Sequence, residues 1–140
     1  MERKYDLQQR LMSFSVMVLN FVDCLPNSYV GNYFGNQLIR SGTSPALNYA
    51  ESQAAVSSKD FLNKVSICLK ELRESQVNLN IIKMKPLVDF EKIEPVLNEC
   101  DQLVAIFTTI VKNKKNNIEL IFGIFGAVFL LIFLIGTISG

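Results

Sequence analysis

The sequence contains no histidine and no tryptophan among its 140 residues. The missing histidine removes the commonest general base and metal ligand at once. A serine or cysteine nucleophile activated by an imidazole is excluded with it, as is the Glu-x-x-His spacing of metal-carrying helical bundles. Glu51, Glu71 and Glu74 are left as the only carboxylate set that could be imagined around a metal. Cysteine is scarce: Cys24, Cys68 and Cys100 are far apart, odd in number, and absent from any C-x-x-C pair. All three fall at apolar positions of expected helices, which reads as reduced core residues in a cytosolic protein. An excess of charge of one sign is also lacking. Fourteen Lys and Arg against thirteen Asp and Glu leave a net of +1, without the basic excess of a typical nucleic-acid binder. There is no Gly-rich phosphate loop, no clean two-residue alternation that would mark a strand, and no internal repeat. The first residues lack the basic, apolar and small-residue layout of a signal peptide. The length fits one domain. These absences argue against an enzyme, and neither cofactor nor metal is expected.

What is present is helical periodicity. Asp6 is an expected N-cap, followed by Leu7, Leu11, Phe14, Val18, Phe21 and Leu25 at alternating spacings of four and three, a heptad seam. Met12, Val16 and Leu19 are expected to widen that surface into a bundle core. Pro26 ends the segment. A second helix is expected from about residue 29 to about residue 56. A third, capped by Ser57 with Asp60 in its first turn, is expected over about residues 59–84 with the seam Phe61, Val65, Cys68, Leu72, Ser75, Leu79 and Ile82. On it Asp60 and Lys64, and Lys70 and Glu74, are spaced to pair, each for ~0.2–0.5 kcal/mol. A fourth starts between residues 89 and 94, with the seam Ile93, Leu97, Cys100, Val104, Phe107 and Val111, and ends in the lysine-rich run 112–117. Short connections predict an all-α, antiparallel up-down-up-down four-helix bundle over residues 1–117.

The most specific stretch is residues 37–51, Q-L-I-R-S-G-T-S-P-A-L-N-Y-A-E. Gly42 and Pro45 disfavour a helix interior, and Pro45 deprives the Ser41 carbonyl of its partner. The expectation is one long element kinked or broken near residues 41–44. Ser44, Asn48 and Glu51 just beyond are read as a structural polar network in preference to a ligand site, because buried polar groups more often fix packing than do chemistry. The pattern R-S-G-T-S-x-x-x-N-Y-x-E, followed by S-x-K-D-F-x-x-K-x-x-I-x-L-K-E-L-R-E-S, resembles the four-helix-bundle family of 23S rRNA intervening-sequence proteins. Arg40, Ser41, Ser44, Asn48, Glu51, Asp60, Phe61, Lys70, Glu71 and Glu74 carry the resemblance, which covers roughly residues 6–115. It implies a bacterial protein whose bundle assembles as a ring-shaped homopentamer. It also implies kinship with the accessory protein of diversity-generating retroelements, which binds nucleic acid and a reverse transcriptase. No catalytic residue comes with it.

From Ile118 the composition changes. Residues 118–138 hold a single charge, Glu119. As a helix of 1.5 Å rise they would span about 31 Å, close to the ~30 Å hydrocarbon core of a bilayer. Apolar residues fall on all faces, unlike an amphipathic surface helix. Gly123 and Ala127 form a small-xxx-small pair, and Gly126 and Gly136 are tolerable in a membrane helix. Lys112, Lys114 and Lys115 precede the span and place the bundle in the cytoplasm, with Gly140 across the membrane. Members of the family generally end near the lysine-rich run, so residues 118–140 depart from the pattern. Read as a membrane tail anchor, the segment stands against two rivals: a fifth helix buried in a soluble oligomer, and a frameshift or readthrough product.

Two functions follow. One is a non-enzymatic oligomeric scaffold or binding protein tethered to the membrane through residues 118–138. The other is a cytoplasmic nucleic-acid or ribonucleoprotein-binding accessory protein contacting phosphates through Arg40, Lys59, Lys64, Lys70 and Arg73. Asp60, Glu71 and Glu74 interleave with those cations, as on an ordinary solvated helix face. All fourteen basic residues and twelve of the thirteen acidic ones precede residue 118, a net of only +2.

Overall fold

The computed structural model describes residues 6–138. Residues 1–5, read as leading into the first helix, and Gly140, read as lying beyond a membrane, fall outside them. The described residues form four helices and no strand: α1 (Leu7–Val22), α2 (Tyr29–Gln53), α3 (Ser58–Met84) and α4 (Phe90–Ile138). Each of the first three is capped by an oxygen-bearing side chain. Asp6 accepts from the Gln9 amide at 3.0 Å, Ser28 from Gly31 at 3.1 Å, and Ser57 from Asp60 at 3.0 Å, so each cap satisfies one of the orphan donors of its first turn.

α1 packs on α2 and α4, α2 on α3, and α3 on α4. The pairings set the directions. Gln8 donates to the Ala46 carbonyl while Ser15 reaches the Gly42 carbonyl. Ser41 meets Ser75 while Glu51 meets Lys64. Lys83 lies over the Phe90 ring while Lys114 lies over Phe61. In every pair rising numbers on one helix meet falling numbers on the other. The seams of the sequence converge on one core, with Phe14, Leu38, Leu72, Leu79, Ile93 and Phe107 among its fully buried members. Tyr49 stands edge-on to Phe107 at 5.7 Å between centroids.

Four expectations are corrected. α2 is the one long element expected, but it is not broken at residues 41–44; it is helical through Pro45. The proline costs one backbone hydrogen bond and roughly 3 kcal/mol in an isolated helix, but its ring is fully buried. Gly42 beside it sits against Val18, where an added Cβ would fall 2.7 Å from Val18 Cγ1. Packing on both sides holds the helix through the weak point. Secondly, Cys24 is exposed. α1 stops at Val22, and the amides of Cys24 and Leu25 bond back three residues to Phe21 and Val22; in this tightened turn the seam residue Leu25 stays against the core while Cys24, next to it and off the seam, faces out.

Thirdly, Met12, Val16 and Leu19 do not widen the core; they are 43%, 54% and 41% exposed. α1 has only two neighbours, and its buried stripe is confined to Leu7, Leu11, Phe14, Val18 and Phe21. The three lie on α1 at spacings of four and three, and Ile39 and Leu47 of α2 are likewise exposed. Fourthly, the lysine-rich run does not end the fourth helix. α4 continues without interruption from Phe90 to Ile138, 49 residues. The run K-N-K-K-N-N contains neither glycine nor proline, and the segment beyond it is strongly apolar, so nothing stops the hydrogen-bond ladder.

Candidate functional site

The residues singled out in the sequence lie mostly along the α2–α3 seam. Arg40, on the outer flank of α2, reaches across to two carboxylates one turn apart on α3. Its Nη1 donates to Glu71 Oε2 at 3.0 Å, and its Nη2 donates to Glu74. Glu71 is only 8% exposed, so Arg40 supplies the positive charge that a nearly buried carboxylate needs. The bond from Glu74 and the charge of Glu71 hold the Arg40 pKa above its ordinary value. Just inside, the Ser41 and Ser75 hydroxyls are 2.7 Å apart and fully buried. They satisfy each other where an unpaired hydroxyl would be costly.

Asn48 donates to the Ser44 carbonyl and hydroxyl, both at 3.0 Å. Glu51 takes no part in that pair. It is exposed and bound to Lys64 of α3, whose pKa is raised by the bond from Glu51 and by its charge. Glu74 is likewise joined to Arg40 rather than to Lys70, the partner its spacing suggested.

The five cations read as phosphate contacts therefore separate. Arg40 and Lys64 are engaged in ion pairs. Lys59, Lys70 and Arg73 are exposed on α3. Lys70 and Arg73 are three residues apart and share a face, whereas Lys59 lies eleven residues earlier, about 16 Å along the axis. Local pattern does not mark Arg10, which bonds Glu99 through two nitrogens at 2.6 and 3.0 Å and Gln102 at 2.8 Å. The only signal would have been complementary charge 89 positions apart.

Thiol chemistry finds no support in the core. Burial pushes Cys68 and Cys100 up to about 12, and their sulfurs donate to the Pro45 and Leu72 carbonyls, each at 3.4 Å. Among the described residues no three His, Cys, Asp or Glu side chains gather as a metal site requires.

The second notable region is the end of the bundle from which α4 departs. Among the described side chains of α4, Val111 is the last buried one. Lys114 Nζ stands 5.4 Å from the Phe61 ring centroid. Counting three residues outward from that contact on each antiparallel helix brings Ser58, the first residue of α3, level with Asn117. The bundle thus stops where the lysine-rich run of α4 stops. From Leu120 to Ile132 the apolar side chains are exposed on every side, among them Phe122 at 73% and Phe129 at 74%. By length and composition this helix can cross a membrane. Between the first turns of α3 and the emerging α4 lies a groove of about 610 Å³, bordered by Ser58, Lys59, Leu62, Ile118, Ile121 and Phe122. A neighbouring, more polar cavity of about 440 Å³ is bordered by Ser57, Phe61 and Lys114.

This is an all-helical protein whose distinctive polar residues join helices, and whose fourth helix outruns the packed body. The family model of the 23S rRNA-intervening sequence protein matches residues 3–109, and the chain belongs to that family. No curated protein matches it. Among solved structures it is similar to a protein of unknown function from the S23 ribosomal protein family of Bacteroides thetaiotaomicron, with 28% identity and a TM-score of 0.70. The match covers 76% of this chain and 99% of the relative. The apolar part of α4 lies outside the family match.

Proposed function

We propose that this protein is a non-enzymatic scaffold or binding protein: an antiparallel four-helix bundle tethered to the membrane by the apolar end of α4. The observation that carries the reading is the coincidence of two boundaries. The bundle ends at the level of Asn117, and the apolar segment, whose single charge is Glu119 at its edge, begins within a turn of the same level. A helix whose described apolar side chains from Leu120 to Ile132 are exposed on every face is suited to an apolar surrounding. Lys112, Lys114 and Lys115 at that boundary keep the bundle in the cytoplasm. The exposed strip of Met12, Val16 and Leu19 on α1 supports assembly with further copies, and the resemblance to the family suggests a pentamer.

The test is fractionation of the full chain beside a chain ending at Asn117. The anchor requires the full chain to stay in the membrane pellet through carbonate extraction, while the shortened chain is a soluble oligomer. Recovery of both in the soluble fraction at the same mass per assembly would refute it.

The family's description supports a second reading, a cytoplasmic accessory protein that binds ribonucleic acid. Its candidate contacts are Lys70 and Arg73, with Lys59 apart from them. Binding of this kind must weaken steeply with salt. Affinity for RNA that is flat between 50 and 200 mM salt would dispose of it.

A further inference from the structure

We propose that the groove between the first turns of α3 and the emerging α4 seats one anionic phospholipid. Its phosphate would lie between Lys59 and Lys115, and the start of an acyl chain along Leu62, Ile118 and Phe122. The proposal rests on the membrane reading and adds to it a lipid class and a site.

Position comes first. The groove lies where the bundle stops and the apolar part of α4 starts, which is the headgroup level of a bilayer crossed by that helix. Shape and chemistry come second. Its walls are apolar at Leu62, Ile118, Ile121 and Phe122, and polar at Ser57, Ser58 and Asn63 toward the bundle. A volume of about 610 Å³ equals roughly twenty water-sized groups at ~30 Å³ each, enough for a glycerophosphate and several methylenes.

Charge is third. Lys59 borders the groove and is exposed. Lys115 is three residues before Ile118 and seven before Phe122, so it rises from the groove side of α4. Lys114, on the same side, is held over Phe61. The acids nearby are Asp60, in the first turn of α3, and Glu119, on the flank of α4. Three lysines against two carboxylates leave the mouth cationic. An acidic headgroup matches it better than a zwitterionic one, by about five-fold per lysine at a membrane surface. Val56, in the α2–α3 turn at the same end, is 95% exposed and is placed to enter the interface beside the seat.

The experiment uses the full chain in micelles containing equimolar phosphatidylglycerol and phosphatidylcholine, with retained lipid counted by native mass spectrometry. Wild type should retain one phosphatidylglycerol in preference to phosphatidylcholine by five-fold or more. Lys59→Gln with Lys115→Gln should bring the ratio within two-fold of parity. Lys85→Gln with Lys92→Gln, at the opposite end, should leave it unchanged. The same proteins are reconstituted in vesicles and washed with carbonate. A wild type that is washed off overturns the anchor and the seat together. A wild type that stays but shows no lipid preference, or a Lys59/Lys115 variant that keeps the preference, overturns the seat alone.

Discussion

Gly42→Ala sets two known effects against each other at one buried position. Alanine is the better helix former by about 0.8–1.0 kcal/mol, so an exposed helix interior would gain from the change. At Gly42 the new Cβ would stand 2.7, 2.9 and 3.0 Å from Cγ1, Cγ2 and Cβ of Val18, roughly 0.5–1 Å inside normal carbon–carbon contact. Val18 is fully buried, and a valine in a helix has one strongly preferred rotamer. It cannot swing aside as a long side chain would. Relief requires α1 and α2 to move apart, which loosens the contacts on either side. Overpacking of this kind costs about 1–3 kcal/mol. The net expectation is a loss of up to about 2 kcal/mol, a fall of up to roughly 10 °C in Tm, read by circular dichroism of the full chain in detergent. The decisive arm repeats the change in a Val18→Ala background, where both Cγ methyls are gone. There only the 3.0 Å contact with the remaining Cβ is left, so Gly42→Ala should cost clearly less than in the wild-type chain. If it costs the wild-type chain no more than the Val18→Ala chain, the close approach of the two helices does not constrain this glycine.

Phe107→Ala removes a fully buried ring that stands edge-on to Tyr49; a loss of about 3–5 kcal/mol is expected, measured by thermal unfolding. Thiol titration at pH 8 should show one fast-reacting cysteine per folded chain, Cys24. Cys68 and Cys100, with pKa values pushed up to about 12 by burial, stay protonated and slow below that pH and react only on unfolding. Two or three fast thiols in the folded chain would contradict the core assignment.

The heptad seams were legible in the sequence because burial against one neighbouring surface repeats every three or four residues. The caps at Asp6 and Ser57 were legible because a side-chain oxygen before an apolar run has a specific local use. What could not be read was lateral. Arg40, Glu71 and Glu74 all stand in the pattern that carries the family resemblance, yet only folding brings them together across more than thirty positions. Local spacing suggested Lys70 for Glu74 and Asp60 for Lys64, and an interhelical partner won both times. The exposure of Met12, Val16 and Leu19 was hidden for a related reason. An apolar residue beside a seam looks the same whether a third neighbour covers it or not. The continuity of α4 was missed because a change in composition was taken for a change in structure.

That continuity has a mechanical consequence. A 49-residue helix is a rod of about 73 Å, and no joint separates the part that packs from the part that projects. The angle at which the bundle faces its surroundings is therefore locked to whatever grips the far end of the rod. Inserting one residue within 112–117 would turn the bundle by about 100° and lift it by about 1.5 Å, whereas a flexible linker would absorb the insertion unnoticed. A twist or tilt imposed at one end of α4 reaches Phe107 and Cys100 at the other as a torque on the core.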